Sequence, residues 1–375
     1  MLKESVAFIA VGQCAGNIVK ELDNKGCQCF YINSSLDDLD AVEADLDKRY
    51  HINGEQGMAK DRKEAYEVIN KDENADKIAE AIYKKYANAD IYFFVCSASG
   101  GTGGGMTNTI ISKVKEFYDE KIIGLITVLP HKEEDMIMQY NAIDFFREVK
   151  QNIEDGNITN LQILDNNTLD FEKKLELNTK FADLMDKVLS FDGICNEGNL
   201  DEQEMKKTFS SVGVLAIHEV KNHDFVDNLS RYQEESVYYS HGKDVTTHSL
   251  ILSPDNNTTD GRGLIREIFG VPLETHYTLW DEDTNIIIPS GMSSDFAIAS
   301  VSKELSENYT TWLEKRNQTN NIKVEKKDMV IDVDFSAVEN ERNQPKDKVK
   351  PIQSNTRRGR KGRKIMGVND PNGRK

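Results

Sequence analysis

Gly100 to Gly105 places five glycines in six positions, with Ser99 and Thr102 as hydroxyl-bearing neighbours. Backbone without side chains leaves N–H groups free to face an anion, and a helix starting there adds the positive end of its dipole. Glycine runs also serve as flexible linkers. Here, however, the apolar stretch Ala89 to Cys96 leads straight in and a helical pattern from Met106 to Tyr118 leads straight out. A linker is out of place inside one tight strand–helix unit, so the spacing favours phosphate binding. A second polar turn, Gly12-Gln13-Cys14-Ala15-Gly16-Asn17, follows the apolar run Ser5 to Val11. Neither loop has the Lys-Ser/Thr ending of a Walker loop, and Gly12-x-x-x-Gly16 misses the spacing of a dinucleotide fingerprint. The phosphates are therefore expected to be held chiefly by neutral backbone donors.

Carboxylates supply the other chemistry. Asn199-Leu200-Asp201-Glu202-Gln203-Glu204 is a compact acidic stretch that, by itself, reads as a solvated turn. Five cysteines (Cys14, Cys27, Cys29, Cys96, Cys195) are scattered without a framework, as thiols in a reducing compartment are. Cys27 and Cys29 make a poor chelating pair and read as small buried side chains.

These groups need elements to position them. Asn17 to Leu22 reads as helix, and Cys29 to Asn33 as a second strand ending in Asn33-Ser34-Ser35. Gly54 to Asp61 is a loop followed by a helix through Asn70, and a further helix covers Lys77 to Tyr86. Ile122 to Leu129 is a buried strand and Leu161 to Leu164 a shorter one. Such alternation predicts an α/β fold with a mostly parallel sheet covered on both faces. Ligands of such sheets sit at the carboxyl ends of the strands, where every polar loop above falls. Leu175 to Leu189 has helical spacing. Beyond Met205, strand patterns at Val212–His218, His248–Ser253, Tyr277–Trp280 and Asn285–Ile288, with helices at Gly263–Phe269 and Ser302–Lys315, predict a smaller α+β domain. The expected division is 1–174, a central helix and acidic loop at 175–205, the α+β domain at 206–300, a helix and linker at 301–335, and a disordered basic tail at 336–375.

Ser99-Gly100-Gly101-Thr102-Gly103-Gly104-Gly105 resembles the tubulin signature [SAG]-G-G-T-G-[SA]-G, with Gly104 at the Ser/Ala place, and Gly12-Gln13-Cys14-Ala15-Gly16-Asn17 resembles the family's first nucleotide loop. The order of elements from Ser5 to Met205 agrees, so the chain is identified as a member of the tubulin/FtsZ superfamily. The resemblance implies a Rossmann-type GTPase domain, GTP/GDP and Mg²⁺ as cofactors, and head-to-tail filaments. It makes the acidic stretch the family's N-x-D-x-x-[DE] loop. A central helix of about 20 residues spans roughly 30 Å and delivers that loop to the face opposite the nucleotide. Asp201 and Glu204 would then act as catalytic residues on a neighbour's nucleotide. The resemblance also carries Asn33 and Ser34 as nucleotide contacts and Gly54, Gly57, Lys60, Asp61 and Arg62 as a γ-phosphate-sensing loop. Glu133 or Glu134 is implied at the ribose, with Asn166 and Asp183 on the guanine side. Phe181 at helical spacing reads as core rather than a base platform.

The net charge of −17 hides an asymmetry: Lys346 to Lys375 holds eleven Lys/Arg and two Asp, net +9, leaving −26 on the rest. An acidic body repels nucleic acid, whereas a tail carrying Arg357, Arg358, Arg360, Lys361, Arg363 and Lys364 attracts polyanions. In the plasmid and phage segregation branch of the family, TubZ, a basic tail engages a DNA-bound adaptor, TubR. This chain resembles that branch, which implies such an adaptor as its partner. FtsZ-like cell division is the alternative within the family. An NAD-dependent oxidoreductase is disfavoured by the first-loop spacing, and a non-polymerising nucleic-acid-binding protein by the acidic body. No apolar run approaches the length of a membrane helix, and the start lacks a signal-peptide pattern. The expected location is the cytoplasm, with no membrane partner.

Overall fold

The computed structural model describes residues 2–52, 56–191, 197–198, 200–239, 242–280 and 282–320. Gly54, Cys195, Asn199 and the tail residues Arg357, Arg358, Arg360, Lys361, Arg363 and Lys364 lie outside these residues.

Six parallel strands form the centre: β1 (Val6–Val11), β2 (Gln28–Asn33), β3 (Arg49–His51), β4 (Ile91–Ser97), β5 (Ile122–Leu129) and β6 (Asn160–Asp165). Their spatial order is β3-β2-β1-β4-β5-β6. The helices of this half are α1 (Gln13–Asn24), α2 (Leu36–Ala41), α3 (Arg62–Ile69), α4 (Asn74–Tyr86), α5 (Thr102–Phe117), α6 (Met136–Glu154), α7 (Glu176–Ser190) and α8 (Glu202–Phe209). The chain order reverses between β1 and β4, the switch point at which doubly wound sheets open a crevice for ligands. Continuous apolar sequence is what a strand covered on both faces requires. β1 is accordingly buried throughout and β4 as far as Cys96. Pairing from Val6↔Ile91 to Ala10↔Val95 makes the two strands finish level. Phe93 anchors the layer below, stacking on Phe8 at 5.6 Å between centroids and meeting Phe209 edge-on at 5.4 Å.

The second half comprises β7 (Gly213–Leu215), β8 (His218–Lys221), α9 (Phe225–Ser230), α10 (Tyr232–Glu235), β9 (Thr247–Leu252), α11 (Thr259–Phe269), β10 (Glu274–Leu279), β11 (Thr284–Met292) and α12 (Ser294–Asn320). It keeps a small apolar cluster of its own around Phe225, Leu250, Ile265 and Phe269. Its strands nevertheless continue the same sheet. β7 joins β6 through two residue pairs, Asn160↔Gly213 and Leu161↔Val214. β11 then runs antiparallel to β7, β8 and β9, and β10 lies parallel to β9 at the edge.

Several helix boundaries differ from expectation: α11 and α12 start four and eight residues earlier than expected, and three further differences lie in the first half. α1 starts at Gln13 rather than Asn17, because Gly12, at φ +84°, turns the chain within one residue. α5 starts at Thr102, inside the glycine run, rather than at Met106. α7 has 15 residues, about 22 Å by helical rise rather than 30 Å. Of the elements not foreseen, β3, α2, α8, α9 and α10 have 3 to 8 residues each, too few periods to register as a pattern, while α6, with 19, carries polar Gln139, Asn141 and Asn152 at buried positions, which blurs its apolar spacing.

Phe93 is fully buried between the β1 and α8 aromatics. Phe93→Ala is expected to lower unfolding stability by about 3–5 kcal/mol in a urea titration.

Candidate functional site

The starts of α1 and α5 meet above the gap between β1 and β4. A Cβ on Gly12 would stand 3.0 Å from the Gly103 amide nitrogen, so only glycine lets the two turns touch. Neither helix start is capped by a side chain. Among the described residues, the amides of Gln13 and Cys14, and of Gly101, Thr102 and Gly103, have no hydrogen-bond partner. Two sets of free donors, each at the positive end of a helix, thus line one cleft of about 420 Å³.

The third wall is the segment Gly57 to Lys60. Gly57, at φ +100°, donates its amide to the Ser34 carbonyl at 3.1 Å, and Ser34 Oγ lies 2.8 Å from Thr102 Oγ1. A Cβ on Gly101 would come within 2.8 Å of Met58 Cβ, so this wall rests directly on the glycine run. The Asn141 side-chain amide fixes the arrangement, donating to the Lys60 carbonyl at 3.0 Å and the Ser99 carbonyl at 3.2 Å. Arg62 turns away from the cleft. Its guanidinium reaches the Gly104 carbonyl at 2.8 and 3.1 Å, the Asn141 carbonyl at 3.1 Å and Glu148 Oε2 at 2.8 Å. Lys60 supplies an exposed cation at the rim, paired at 2.8 Å with Asp135, whose carboxyl it holds below the usual range. Asp61 caps α3 by accepting from the Glu64 amide at 3.0 Å.

Gly12, Gln13, Cys14, Gly57, Lys60, Gly100, Gly101, Thr102 and Gly103 are brought together at the cleft. Ser99 and buried Asn33 and Ser34 stand behind them. Asn33 donates its side-chain amide to Asp38 at 3.3 Å, and its Oδ1 accepts from the Ser35 amide at 3.1 Å. Other expected residues take structural roles. The amides of Gly16, Gly104 and Gly105 are spent inside their helices, on the carbonyls of Gly12, Gly100 and Gly101. Ala15 is buried in α1 and Asn17 is exposed one turn beyond the cleft. The Cys14 thiol is pushed up to about 12, first by burial and then by Glu134, so it stays protonated. Glu134 is half-buried and paired with Lys174, whereas Glu133 is exposed. Asn166 donates to the Leu129 carbonyl at 3.1 Å and ties β5 to β6.

Asp183 is not brought to the cleft. It pairs at 2.6 Å with Lys25, which caps the far end of α1, twelve residues or about 18 Å from Gln13. The half-buried polar residue on the first turn of α7 is Asn178, four residues after Lys174, whereas Glu176 and Thr179 are exposed. Phe181 is fully buried, edge-on to Tyr238 at 6.4 Å, as a core residue is. Sequence reasoning missed Ser35, Asp38, Gln56 and Met138 on the cleft wall and buried Asn141 behind it. Asp38 lies in the short acidic stretch Asp37 to Asp40, which by itself reads as a solvated face, and the others belong to no motif.

The acidic stretch lies at the other end of the sheet. Asp201 begins α8, accepting from the Gln203 amide at 2.7 Å and the Glu204 amide at 3.3 Å. Lys206 of α8 reaches Asp90 at 3.1 Å, and Asp90 immediately precedes β4. The seven residues of β4, about 23 Å of strand, therefore separate this stretch from the glycine run.

Residues 5–169 match the Tubulin/FtsZ family, GTPase domain. This half is a tubulin/FtsZ GTPase domain. The chain is 27% identical over 335 residues to the tubulin-like protein TubZ of Clostridium botulinum C phage, covering 88% of this chain and 89% of that one. The solved structure of Clostridium botulinum phage c-st TubZ, with its C-terminal tail truncated, superposes with a TM-score of 0.75 at 25% identity, over 84% of this chain and all of that one (100%). A GTPγS-form protofilament of Bacillus thuringiensis serovar israelensis TubZ matches in fold, with a TM-score of 0.71 at 15% identity over 84% and 94% of the two chains. The expected tubulin/FtsZ fold is the one observed.

Arg62 offsets the half-buried carboxylate of Glu148, whose pKa partial desolvation raises above its ordinary value against the pull of Arg62. Arg62→Met removes this pair and the bonds to the Gly104 and Asn141 carbonyls, and should cost about 1–3 kcal/mol at pH 7.5. A carboxyl whose folded pKa lies above its unfolded one favours folding as pH falls, because the folded state takes up the proton. The deficit measured by urea denaturation should therefore shrink at pH 5.5.

Proposed function

We propose that this chain is a GTPase that assembles head to tail into filaments serving DNA segregation, each subunit hydrolysing GTP with the help of its neighbour. The observation that carries the reading is the placement of a phosphate-type cleft and a carboxylate stretch at opposite ends of one sheet. β1 and β4 hold the cleft at their carboxyl ends, and Asp201 and Glu204 lie beyond their amino ends, so one subunit cannot apply its own acids to its own cleft. Stacking a second copy end on end brings the two together, and such heterologous contacts propagate into filaments.

The free amides of α1 and α5 suit the β- and γ-phosphates, and Lys60 is a cation at the rim. Among the described residues, no three His, Cys, Asp or Glu groups gather as a metal site. Mg²⁺ is accordingly expected to be carried mainly by the nucleotide's phosphates, with Asp38, among the described residues, the one carboxylate lining the cleft. When bound there, the ion would offset charge on the phosphates. Asp201 and Glu204 of the neighbour would orient the attacking water, and the backbone donors would take up developing negative charge. Glu134 at the ribose and Asn166, with Asn178 in place of Asp183, on the base side complete the reading. Exposed apolar side chains lie at both ends: Ile137 and Leu175 follow strands at the cleft end, and Val271 and Leu273 precede β10 at the acidic end. The likeness to phage TubZ favours segregation over cell division. The tail block Arg357 to Lys364 would then dock a DNA-bound adaptor, with affinity falling steeply as salt rises. Among the described residues, no helix is long and apolar enough to cross a membrane.

Light scattering and phosphate release, followed together with Mg²⁺ and GTP, ATP or no nucleotide, test this. A GTP-specific rise, with release depending steeply on protein concentration, is expected. Flat scattering in every condition would overturn the filament reading. Asp201→Ala should still sediment as polymer while phosphate release falls by roughly 10²-fold or more. Leu273→Asp should raise the critical concentration for assembly without altering nucleotide binding by the monomer.

A further inference from the structure

The acidic stretch faces an edge strand that carries a histidine. His276 lies in β10 opposite Ser249 of β9, and Ser249 Oγ is 2.6 Å from Thr208 of α8, so this face of the two strands is the one α8 covers. Both ring nitrogens of His276 are shielded from water, and neither has a hydrogen-bond partner. Nε2 stands 3.4 Å from Glu274 Oε2, without hydrogen-bond alignment. On α8, one turn before Thr208, Glu204 Oε2 is likewise buried and unpartnered. Buried polar atoms without partners are uncommon and destabilising, and here three occur in one contact region. The Leu200 amide donates to the Tyr277 carbonyl at 3.2 Å, and Gly198 bridges to Thr278, so the acidic stretch is laid along β10.

The charged groups around His276 can be named element by element. α8 and its cap supply Asp201, Glu202, Glu204 and Lys207. β10 itself supplies Glu274, which Lys207 also pairs with. The facing residues of β9, Thr247 and Ser249, carry no charge, and Glu197 is exposed on the preceding loop. Carboxylates outnumber cations on this face. Asp201 is held below the ordinary aspartate range by the Glu204 side chain, then by the Gln203 and Glu204 amides, with His276 adding to the same effect.

We propose that His276 is a positioning residue for the acidic loop. Its imidazolium balances the carboxylates of Asp201, Glu204 and Glu274 and holds the loop in the form that acts on the neighbouring subunit. Uptake of one proton gives the ring two donors among carboxylate acceptors. Loss of that proton leaves the carboxylates opposed only by Lys207. The loop therefore works better on the acidic side of the histidine range. This inference rests on the reading of Asp201 and Glu204 as acting across the subunit contact.

The test is phosphate release per sedimented subunit between roughly pH 6 and 8, in the wild type and in His276→Gln, at protein concentrations giving equal polymer mass. The wild-type rate should fall by roughly two- to fivefold toward the alkaline end, the scale of a partly exposed ion pair, and His276→Gln should be flat. A glutamine variant that keeps the wild-type pH profile overturns the proposal. If Gln at this position impairs folding, His276→Asn is measured in the same assay instead. It too should be flat, and an asparagine variant that keeps the wild-type pH profile overturns the proposal. Asp201→Ala filaments that retain full hydrolysis would overturn the trans-acting reading itself, a result separable from either outcome at His276.

Discussion

Everything at the cleft depends on how closely two backbone turns approach. β1 and β4 are hydrogen-bonded neighbours that finish level, so the segments leaving them compete for the same space. Gly12 and Gly103 resolve that competition by having no side chains where they touch. The same contact brings the free amides of two helices to one point, where their dipoles add rather than act singly. A lysine is thereby made less necessary. Glycine at 101 serves a further purpose, since Met58 and the backbone of Lys60 lie against it. The run is as much a packing surface as a cradle. Arg62 and Asn141 stitch that surface to α6, linking the wall of the cleft to a helix that α12 packs upon.

A parallel sheet imposes polarity on the molecule. All six central strands run one way, so helix starts collect at one end and strand starts at the other. β7, β9 and β10 keep this direction. The apolar and acidic residues that precede them thus share a face with Asp90, remote from the cleft. Two chemically unlike ends, one rich in donors and one in carboxylates, follow from topology alone.

Much of this was legible in sequence because it rested on strong local signals. The apolar runs of β1, β4 and β5 and the glycine run are unambiguous, and the expected strand ends fall within two residues of those observed. Helix starts were harder. Nothing in Gly12-Gln13-Cys14 announces that one residue makes the whole turn, since that depends on φ at Gly12 and on the presence of Gly103 across the gap. Asp183 illustrates a different limit: its helix was foreseen, but which level of that helix faces the cleft is decided by packing against α1 and by Lys25. Asn141 and Arg62 act through backbone carbonyls, a role that any buried polar residue could fill, so their identity carries no motif.

The joint along β6 between the two halves of the sheet is short: two residue pairs to β7, at Asn160↔Gly213 and Leu161↔Val214, and one bridge, Leu164↔Tyr238. Beside it lies a water-accessible hollow of about 730 Å³ between α7 and β8, crossed by the Lys187–Glu219 ion pair at 2.5 Å. A short seam of backbone bonds resists stretching but yields to bending, as a thin leaf spring does. If copies were stacked end to end, tension entering near β10 and leaving near Gly12 would be shared by this seam, the α8 contacts with Asp90 and Phe93, and the packing of α12 on α6. The compliance of such a polymer would then be set inside each subunit rather than at the contacts between them.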